Sequence, residues 1–282
     1  MFSLSTKSKI FIAYIICKIL VLFLGNKKRL ILRNNIKYEI DLNEAIDLGI
    51  FLGIKNESKL YKIKRFLSTN NKHVLVDIGS NIGSVTLPLA KLFNFSTIIS
   101  IEPTNFAFLK LKKNLKLNPE LGKRVKLLNL FISDKRKKVK FVHSSWNLKT
   151  KEKKHKVHLG ALKKTSNKTK TLSEVLNKIR KKIDFIKIDV DGYEINVLRS
   201  GKEIINKYKP LIYFEFAPYL YKEFGYSTET LIDFIKNELK YTFLNENFDK
   251  IKNIYEIGKK LNDRSINFFL IHKTNLSKFK TL

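Results

Sequence analysis

The residues best suited to chemistry form a short turn behind an apolar segment. Residues Val74–Ile78 read VLVDI, which is too apolar for an exposed strand and predicts the buried centre of a parallel sheet. The next five residues read GSNIG, and glycine and asparagine readily adopt left-handed backbone conformations. A predicted helix over residues 84–92 follows. Strand, turn and helix N-terminus together predict a nucleotide-type pocket.

The spacing of the glycines argues against a dinucleotide. A dinucleotide turn has the pattern G-x-G-x-x-G, because the pyrophosphate must lie against the helix amides. Here Asn81 replaces the middle glycine and Gly83 comes one residue early. The remaining pattern, an acid followed by G-x-(G/N)-x-G, resembles the first motif of class I S-adenosylmethionine methyltransferases, in which the turn holds the methionine end of the cofactor. The cofactor residues that this resemblance implies are Asp77, Gly79, Ser80, Asn81 and Gly83.

A second acid stands at the end of the next predicted strand. Residues Thr97–Ile101 form an apolar segment, and Glu102 follows it directly. A carboxylate at this position can accept hydrogen bonds from both hydroxyls of a ribose. The alternative is that Glu102 only caps the helix predicted to begin near Thr104.

Three further charged residues form the predicted catalytic group. Asp189 and Glu215 end two predicted strands and can orient an acceptor hydroxyl or take its proton. Lys187 shares a strand face with Asp189 and can neutralise it, although a purely structural ion pair is the alternative. Asp191 and Glu194 are better explained as a helix cap. Asp189, Asp191 and Glu215 could also bind a divalent cation, but the spacing does not require one and we expect no metal.

The elements around these residues predict an α/β fold. Strands alternate with helices, which implies a mostly parallel sheet with helices on both faces. The last two strands lack a clear long helix between them and predict an antiparallel hairpin at one edge. We expect seven strands, preceded by an N-terminal helix and a β-hairpin around Asn34 and Asn35. The predicted strands of the sheet lie at Val74–Ile78, Thr97–Ile101, Val125–Phe131, Asp184–Val190, Leu211–Phe216, Tyr241–Leu244 and Ile266–His272.

Composition limits the partners of the chain. The 282 residues include 56 Lys and Arg against 25 Asp and Glu, a formal charge of +31. Such a charge attracts polyanions, but abundant lysine, asparagine and isoleucine also follow from an AT-rich genome, and arginine is scarce. The single cysteine, Cys17, excludes an intrachain disulfide and cysteine metal clusters, which fits the cytoplasm.

The N-terminal segment has a separate character. Residues Ile10–Leu24 are apolar apart from Lys18, too short to span a bilayer, and flanked by basic residues. We expect a helix over residues 1–28 that lies on the inner membrane surface, through residues 7–29, or packs on the domain. An extension over 29–72 and the main domain over 73–282 follow. The main domain contains a lysine-rich insertion at about 135–170, whose His143 is a candidate for contact with the pocket.

Several motifs together resemble one family. VDIGSNIG, IEP, Ser133-Asp134, TLSEVL, FIKIDVDGYE and PLIYFEF occur in the order typical of FkbM S-adenosylmethionine-dependent methyltransferases, over roughly Tyr38 to Phe216. This resemblance implies the class I methyltransferase fold, S-adenosyl-L-methionine as cofactor, and an adenine contact at Ser133 and Asp134. The family usually has glutamate where this chain has Asp191.

The resemblance implies methyl transfer to an oxygen, most simply a hydroxyl of a sugar, glycan or secondary metabolite. RNA methylation is an alternative prompted by the basic charge, but the sequence lacks the aromatic and arginine clusters of an RNA-binding surface. A non-catalytic scaffold of a glycan-assembly complex is the other alternative. The intact acid and glycine turn argue against it.

Overall fold

The computed structural model describes residues 6–25, 27–54, 61–135, 138–144, 160–261 and 264–279. The strands, numbered along the chain, are β1 (Lys28–Arg33), β2 (Ile36–Asp41), β3 (Val74–Ile78), β4 (Thr97–Ile101), β5 (Val125–Leu128), β6 (Phe131–Ile132), β7 (Phe141–His143), β8 (Leu162–Lys164), β9 (Thr169–Lys170), β10 (Phe185–Ile188), β11 (Leu211–Phe216), β12 (Tyr241–Leu244) and β13 (Ile266–His272). The α-helices are Thr6–Leu24, Ala45–Phe51, Thr86–Leu92, Asn105–Leu117, Pro119–Gly122, Leu172–Asn177, Glu194–Ser200, Lys202–Tyr208, Pro218–Tyr221, Thr228–Asp233 and Ile254–Lys260.

Seven strands form the central sheet in the order β12-β13-β11-β10-β3-β4-β5. Strand β13 runs antiparallel to both of its neighbours, whereas the pairs from β11 to β5 are parallel. The predicted mostly parallel, Rossmann-like sheet with a C-terminal antiparallel pair is therefore confirmed. Every residue of β3 and β10 is buried, as expected of central parallel strands, and this includes the charged residues Asp77 and Lys187.

The register of the central strands brings the predicted site residues to one edge. Ile188 of β10 lies opposite Ile78 of β3, and Ile78 lies opposite Ile101 of β4. The residues that directly follow these strands are therefore neighbours at the carboxyl edge. This edge is where open α/β sheets form their ligand crevice.

Two predicted elements differ from the structure. The strand expected over Val125–Phe131 ends at Leu128, and Phe131–Ile132 pairs instead with β9 in a separate small sheet. Between them, the Asn129 side-chain amide donates to the backbone carbonyls of Glu102 and Pro103, which draws the chain out of the sheet. The sequence also predicts a helix over Glu57–Leu67; residues 57–60 lie outside the described chain, Tyr61 is helical, and a 3-10 turn at Lys62–Arg65 follows it.

The N-terminal residues pack onto the sheet domain. Strands β1 and β2 form the predicted antiparallel hairpin, and Asn34 and Asn35 both have positive φ angles in its turn. The hairpin and the first two helices share a hydrophobic cluster with Ile82 and Leu87 of the sheet domain. Among the described residues, no helix is both long and apolar enough to cross a membrane.

One buried ion pair joins the same two regions. Lys110, which the helical pattern assigns to a polar face, is only 9% exposed and donates to the carboxylate of Asp47. Burial lowers the pKa of Lys110 to about 8, against the opposing attraction of Glu44, Asp41 and Glu39. Sequence periodicity missed this contact because Asp47 lies 63 residues earlier in the chain.

Candidate active site

A cavity of about 370 Å³ lies at the carboxyl edge of the central strands. Its wall includes Gly79, Asn81, Glu102, Lys187, Asp189 and Glu215, which are six of the predicted site residues. The predicted cofactor residues and catalytic residues therefore meet at one cavity.

The glycine turn has the unusual backbone that its sequence predicts. Gly79, Asn81 and Gly83 have φ angles of +77°, +47° and +94°. A Cβ atom on Gly79 would lie 1.8 Å from the backbone oxygen of Asp189, so no other residue fits there without displacing the chain. The amides of Gly79 and Ser80 both donate to the backbone oxygen of Ile101, at 3.0 and 3.1 Å. Neighbouring strand ends thus fix the turn.

Asp77 lies beneath this turn and is fully buried. One carboxylate oxygen accepts from the Thr86 hydroxyl at 2.6 Å, and the other lies 3.3 Å from Lys187 Nζ. Asp77, Ser80 and Gly83 are not among the described residues that line the cavity. Their contacts shape the turn, and their contact with a cofactor stays a prediction.

Lys187 connects the turn to the catalytic residues. Its Nζ lies 3.3 Å from carboxylate oxygens of both Asp77 and Asp189, and it donates to the backbone oxygen of Gly79 at 2.8 Å. Burial disfavours the charged amine, but the two carboxylates outweigh burial and hold the pKa of Lys187 above its ordinary value. Lys187 is therefore a fixed cation, and the predicted contact with Asp189 is present.

Glu102 is held on the cavity wall by three donors. Its carboxylate accepts from the Asn81 amide at 2.9 Å, the Thr104 amide at 2.8 Å and the Thr104 hydroxyl at 2.5 Å. Burial raises the pKa of Glu102, and these hydrogen bonds oppose that shift. The carboxylate thus anchors the residue before helix Asn105–Leu117 and also faces the cavity, so the two interpretations of the sequence are compatible.

Three carboxylates form a cluster on another part of the cavity wall. One oxygen from each of Asp189, Asp191 and Glu215 lies within 4.8 Å of the others. Burial raises the pKa of Asp191 to about 8, and Asp189 and Glu194 add to the shift. Burial, with Asp189 and Asp191 nearby, also raises the pKa of Glu215 well above its ordinary value. Asp191 therefore holds its proton at neutral pH, and the surroundings of Glu215 favour its protonated form.

The same carboxylate oxygens are also of the type that binds metal ions. Carboxylates at this separation can bind a divalent cation, which takes oxygen ligands. Lys187 already supplies one positive charge, 3.3 Å from Asp189. Shared protons and one lysine therefore provide part of the charge compensation that a cation would give.

The predicted helix cap at Asp191 is wrong. Asp191 has a φ angle of +49°, and the following helix begins at Glu194 with Tyr193 as its N-cap. Asp191 instead lines the cavity. Glu194 accepts from the Gly192 amide at 3.1 Å and the Tyr226 hydroxyl at 3.3 Å, so it stabilises the turn. Burial raises the pKa of Glu194 to about 7.

Ser133 and Asp134 lie beside the cavity. The Ser133 hydroxyl accepts from the Lys135 amide at 3.1 Å, and Asp134 accepts from the Asn196 side-chain amide at 2.8 Å. Neither is among the described residues of the cavity wall, whereas their neighbours Phe131 and Ile132 are. The adenine contact of Ser133 and Asp134 stays a prediction.

Several wall residues have no local sequence signal. Ala45 and Ile46 come from the N-terminal extension, and Tyr219 and Ser265 come from the C-terminal third. Ser265 hydrogen-bonds with Glu215, which favours the charged carboxylate there. His143 does line the cavity and contacts the backbone oxygen of Gly160 at 3.2 Å. The described part of the insertion therefore reaches the pocket, while its residues 145–159 lie outside the described chain.

Comparison with known families gives one match. The model of the methyltransferase FkbM domain matches residues 77–243, which is more than half of the chain. This range contains the glycine turn, Glu102 and the carboxylate cluster. No match is found among proteins of curated function.

Solved methyltransferase structures resemble the fold. The FkbM methyltransferase from Methylobacillus flagellatus is 15% identical with a TM-score of 0.43, and the similarity covers 74% of this chain and 47% of that one. This chain thus spans about half the length of that relative. TYW2 from M. jannaschii, solved with AdoMet, is 15% identical with a TM-score of 0.43, covering 88% and 87% of the two chains. A Klebsiella pneumoniae putative O-methyltransferase is 14% identical with a TM-score of 0.43, covering 77% and 79%.

Proposed function

Because the chain belongs to the FkbM methyltransferase family, we propose that it moves a methyl group from S-adenosyl-L-methionine to a hydroxyl oxygen of a sugar, glycan or secondary metabolite. The observation that supports this proposal is that predicted cofactor residues and predicted catalytic residues line the same cavity. Glu102 stands on one wall as a hydrogen-bond acceptor, and the proton-retaining carboxylates stand on another.

The residues of the cavity fit this cofactor. Glu102 can accept from ribose hydroxyls, and Ile101, Leu130, Phe131 and Ile132 offer an apolar wall for an adenine ring. The carboxylate of Asp189 complements a sulfonium cation, because opposite charges attract strongly at a partly buried site. The turn at Gly79 leaves backbone, without a side chain, against the cavity.

When bound, S-adenosylmethionine supplies an electrophilic methyl group, and the electron pair of its carbon–sulfur bond stays on sulfur as an acceptor oxygen takes the methyl. An alcohol is a weak nucleophile, so its proton must leave as the new bond forms. Asp189 is the acceptor for that proton in this proposal. It directly follows β10, lines the cavity and has a side chain 44% exposed, so a substrate hydroxyl can reach it.

Glu215 and Lys187 position Asp189. Burial and the nearby charges of Asp189 and Asp191 raise the pKa of Glu215 and favour its protonated form, and a side-chain hydrogen bond joins Glu215 to Asp189. Lys187 holds Asp189 from the buried side at 3.3 Å. Both neighbours therefore orient the carboxylate and do not themselves exchange a proton with the acceptor.

Calorimetry with S-adenosylmethionine and S-adenosylhomocysteine tests the cofactor. We expect both to bind the native chain, and Glu102→Gln to weaken binding because a ribose hydroxyl loses a charged acceptor. Glu203→Gln, which removes a carboxylate from an exposed helix position, is the control and binds like the native chain. Absence of heat from the native chain would contradict the cofactor.

A labelling experiment tests the acceptor class. The native chain receives methyl-labelled S-adenosylmethionine with mixtures of oligosaccharides, RNA or small hydroxylated metabolites, and the labelled product is treated with base. An ether methyl survives this treatment, whereas a methyl ester is hydrolysed. Label in RNA would contradict the proposed acceptor class, and a base-labile product would contradict ether formation at a hydroxyl.

A further inference from the structure

The N-terminal helix, Thr6–Leu24, is apolar on both sides but packs through only one of them. Cys17 is 1% exposed at the centre of the inner side, where its neighbours join the hydrophobic cluster of the hairpin. These inner neighbours are Ile10, Ala13, Tyr14, Ile16, Leu20 and Val21. The helix is therefore docked on the protein in one orientation.

The opposite side, here called the outer face, consists of Phe11, Ile12, Ile15, Ile19, Leu22 and Phe23. Their exposed fractions are 65%, 42%, 41%, 49%, 81% and 80%. At 3.6 residues per turn these positions fall within one arc of about 120°. A helix that is apolar all round is normally covered all round, and a contiguous exposed apolar patch marks an interaction surface.

The charges next to the outer face identify the occupant. The first 38 residues contain eight Lys and Arg and no Asp or Glu, so this end of the chain is uniformly cationic. Lys18, within the helix, and Lys28, at the start of β1 four residues after the helix ends, are both exposed. A second copy of the chain would bring like charges together, whereas an anionic surface would neutralise them.

We propose that the outer face binds the surface of an anionic lipid bilayer, with the helix lying in the plane of the interface. The six apolar side chains enter the boundary between headgroups and acyl chains, and the lysines contact the headgroups. The inner side keeps its contacts with the hairpin cluster, which includes Ile82 from the glycine turn. The catalytic domain is thereby held at the membrane by a packed element.

Vesicle sedimentation of the full chain tests this proposal. We expect the native chain to sediment with vesicles that contain about one third phosphatidylserine in phosphatidylcholine, and much less with phosphatidylcholine alone. The double variant Leu22→Gln with Phe23→Gln should lower the partition coefficient at least about tenfold, because two apolar side chains no longer insert into the bilayer. Phe11→Gln with Ile15→Gln should act in the same direction.

The matched control removes exposed apolar area elsewhere. Phe95→Gln with Leu109→Gln alters residues of the sheet domain that are 61% and 57% exposed, and its partition should stay within about threefold of native. Circular dichroism and light scattering accompany each sample. The proposal is overturned by no sedimentation of the native chain, by equal sedimentation with neutral vesicles, or by an equal loss in the control. A native dimer that ignores vesicles and dissociates in the outer-face variants would assign the face to a second copy.

Discussion

The two walls of the cavity are built on different principles. On the wall proposed to hold the cofactor, here called the cofactor wall, Glu102 and the glycine turn are held by backbone groups, with Ile101, Asn81 and Thr104 as partners. On the wall proposed to face the acceptor, here called the acceptor wall, Asp189, Asp191 and Glu215 interact through charge and shared protons, and Lys187 pairs with Asp189. Hydrogen bonds hold the cofactor wall in place at any pH near neutrality, whereas the charge of the acceptor wall depends on the protonation of its carboxylates. Substitutions on the two walls should therefore have different effects on cofactor binding and on the rate of methyl transfer.

Asp189→Asn should give the largest effect. We expect methyl transfer to the natural acceptor to fall about 10²- to 10⁴-fold, because the proton acceptor is lost. The dissociation constant for S-adenosylmethionine should stay within a few-fold of native, since Asp189 is on the acceptor wall. A single-turnover assay and calorimetry on one preparation separate the two quantities. Loss of cofactor binding comparable to the loss of rate would erase the distinction between the walls.

Gly79→Ala should damage the cofactor wall through its backbone. The added Cβ would meet the Asp189 backbone oxygen at a φ of +77°, and we expect a loss of stability of roughly 3 kcal/mol or more. Gly225→Ala is the matched control, because its φ is +80° and no atom lies within 4 Å of the added Cβ. Urea unfolding should separate the two variants. Equal losses would mean that φ alone, and not the contact with Asp189, causes the damage.

Glu102→Gln should weaken S-adenosylmethionine about tenfold to a hundredfold, the effect of one lost charged hydrogen bond. The rate at saturating cofactor should change less. This result would sharpen the comparison, because Glu102 then affects binding while Asp189 affects chemistry. A loss of rate at saturation with unchanged affinity would place Glu102 with the catalytic residues instead.

Asp191→Asn should alter the dependence of stability on pH. Folded Asp191 holds its proton up to a pKa of about 8, while the unfolded residue releases it near 3.8. Between these two pKa values the folded chain binds one proton more than the unfolded chain at Asp191. The contribution of Asp191 to the free energy of unfolding is therefore complete below pH 3.8 and is lost as the pH rises towards 8. We expect Asp191→Asn to flatten this fall by roughly 1–3 kcal/mol between pH 5 and pH 8.

Urea unfolding at several pH values measures this difference, with Glu203→Gln as an exposed control. Glu194, whose pKa is about 7, leaves a residual slope in the variant. If the stability of the variant depended on pH as strongly as that of the native chain, Asp191 would not hold a proton in the folded state.

Removal of divalent cations should have the smallest effect. Protons and Lys187 already compensate part of the charge of the three clustered carboxylates, so we expect methyl transfer to continue in EDTA at close to its original rate. Restoration of a lost rate by Mg²⁺ would instead assign the cluster to a cation.

The cofactor wall was the easier part to predict. Gly79, Asn81 and Glu102 follow apolar strands directly, and parallel strands place their carboxyl ends side by side. The acceptor wall was only partly predicted. Asp191 was assigned to a helix cap, because a capping pattern is local, whereas its contact with Glu215 depends on the turn conformation at φ +49°.

By itself, the sequence determined the order of strands and helices, the glycine turn and the family. These depend on local periodicity and on residues within one β-α unit. Only the tertiary structure decided that Lys110 pairs with Asp47, that Ala45 and Ser265 reach the cavity, and that Asp191 joins Asp189. The reason is physical: burial and neighbouring charge set the protonation of a carboxylate, and both depend on segments that are distant in the chain.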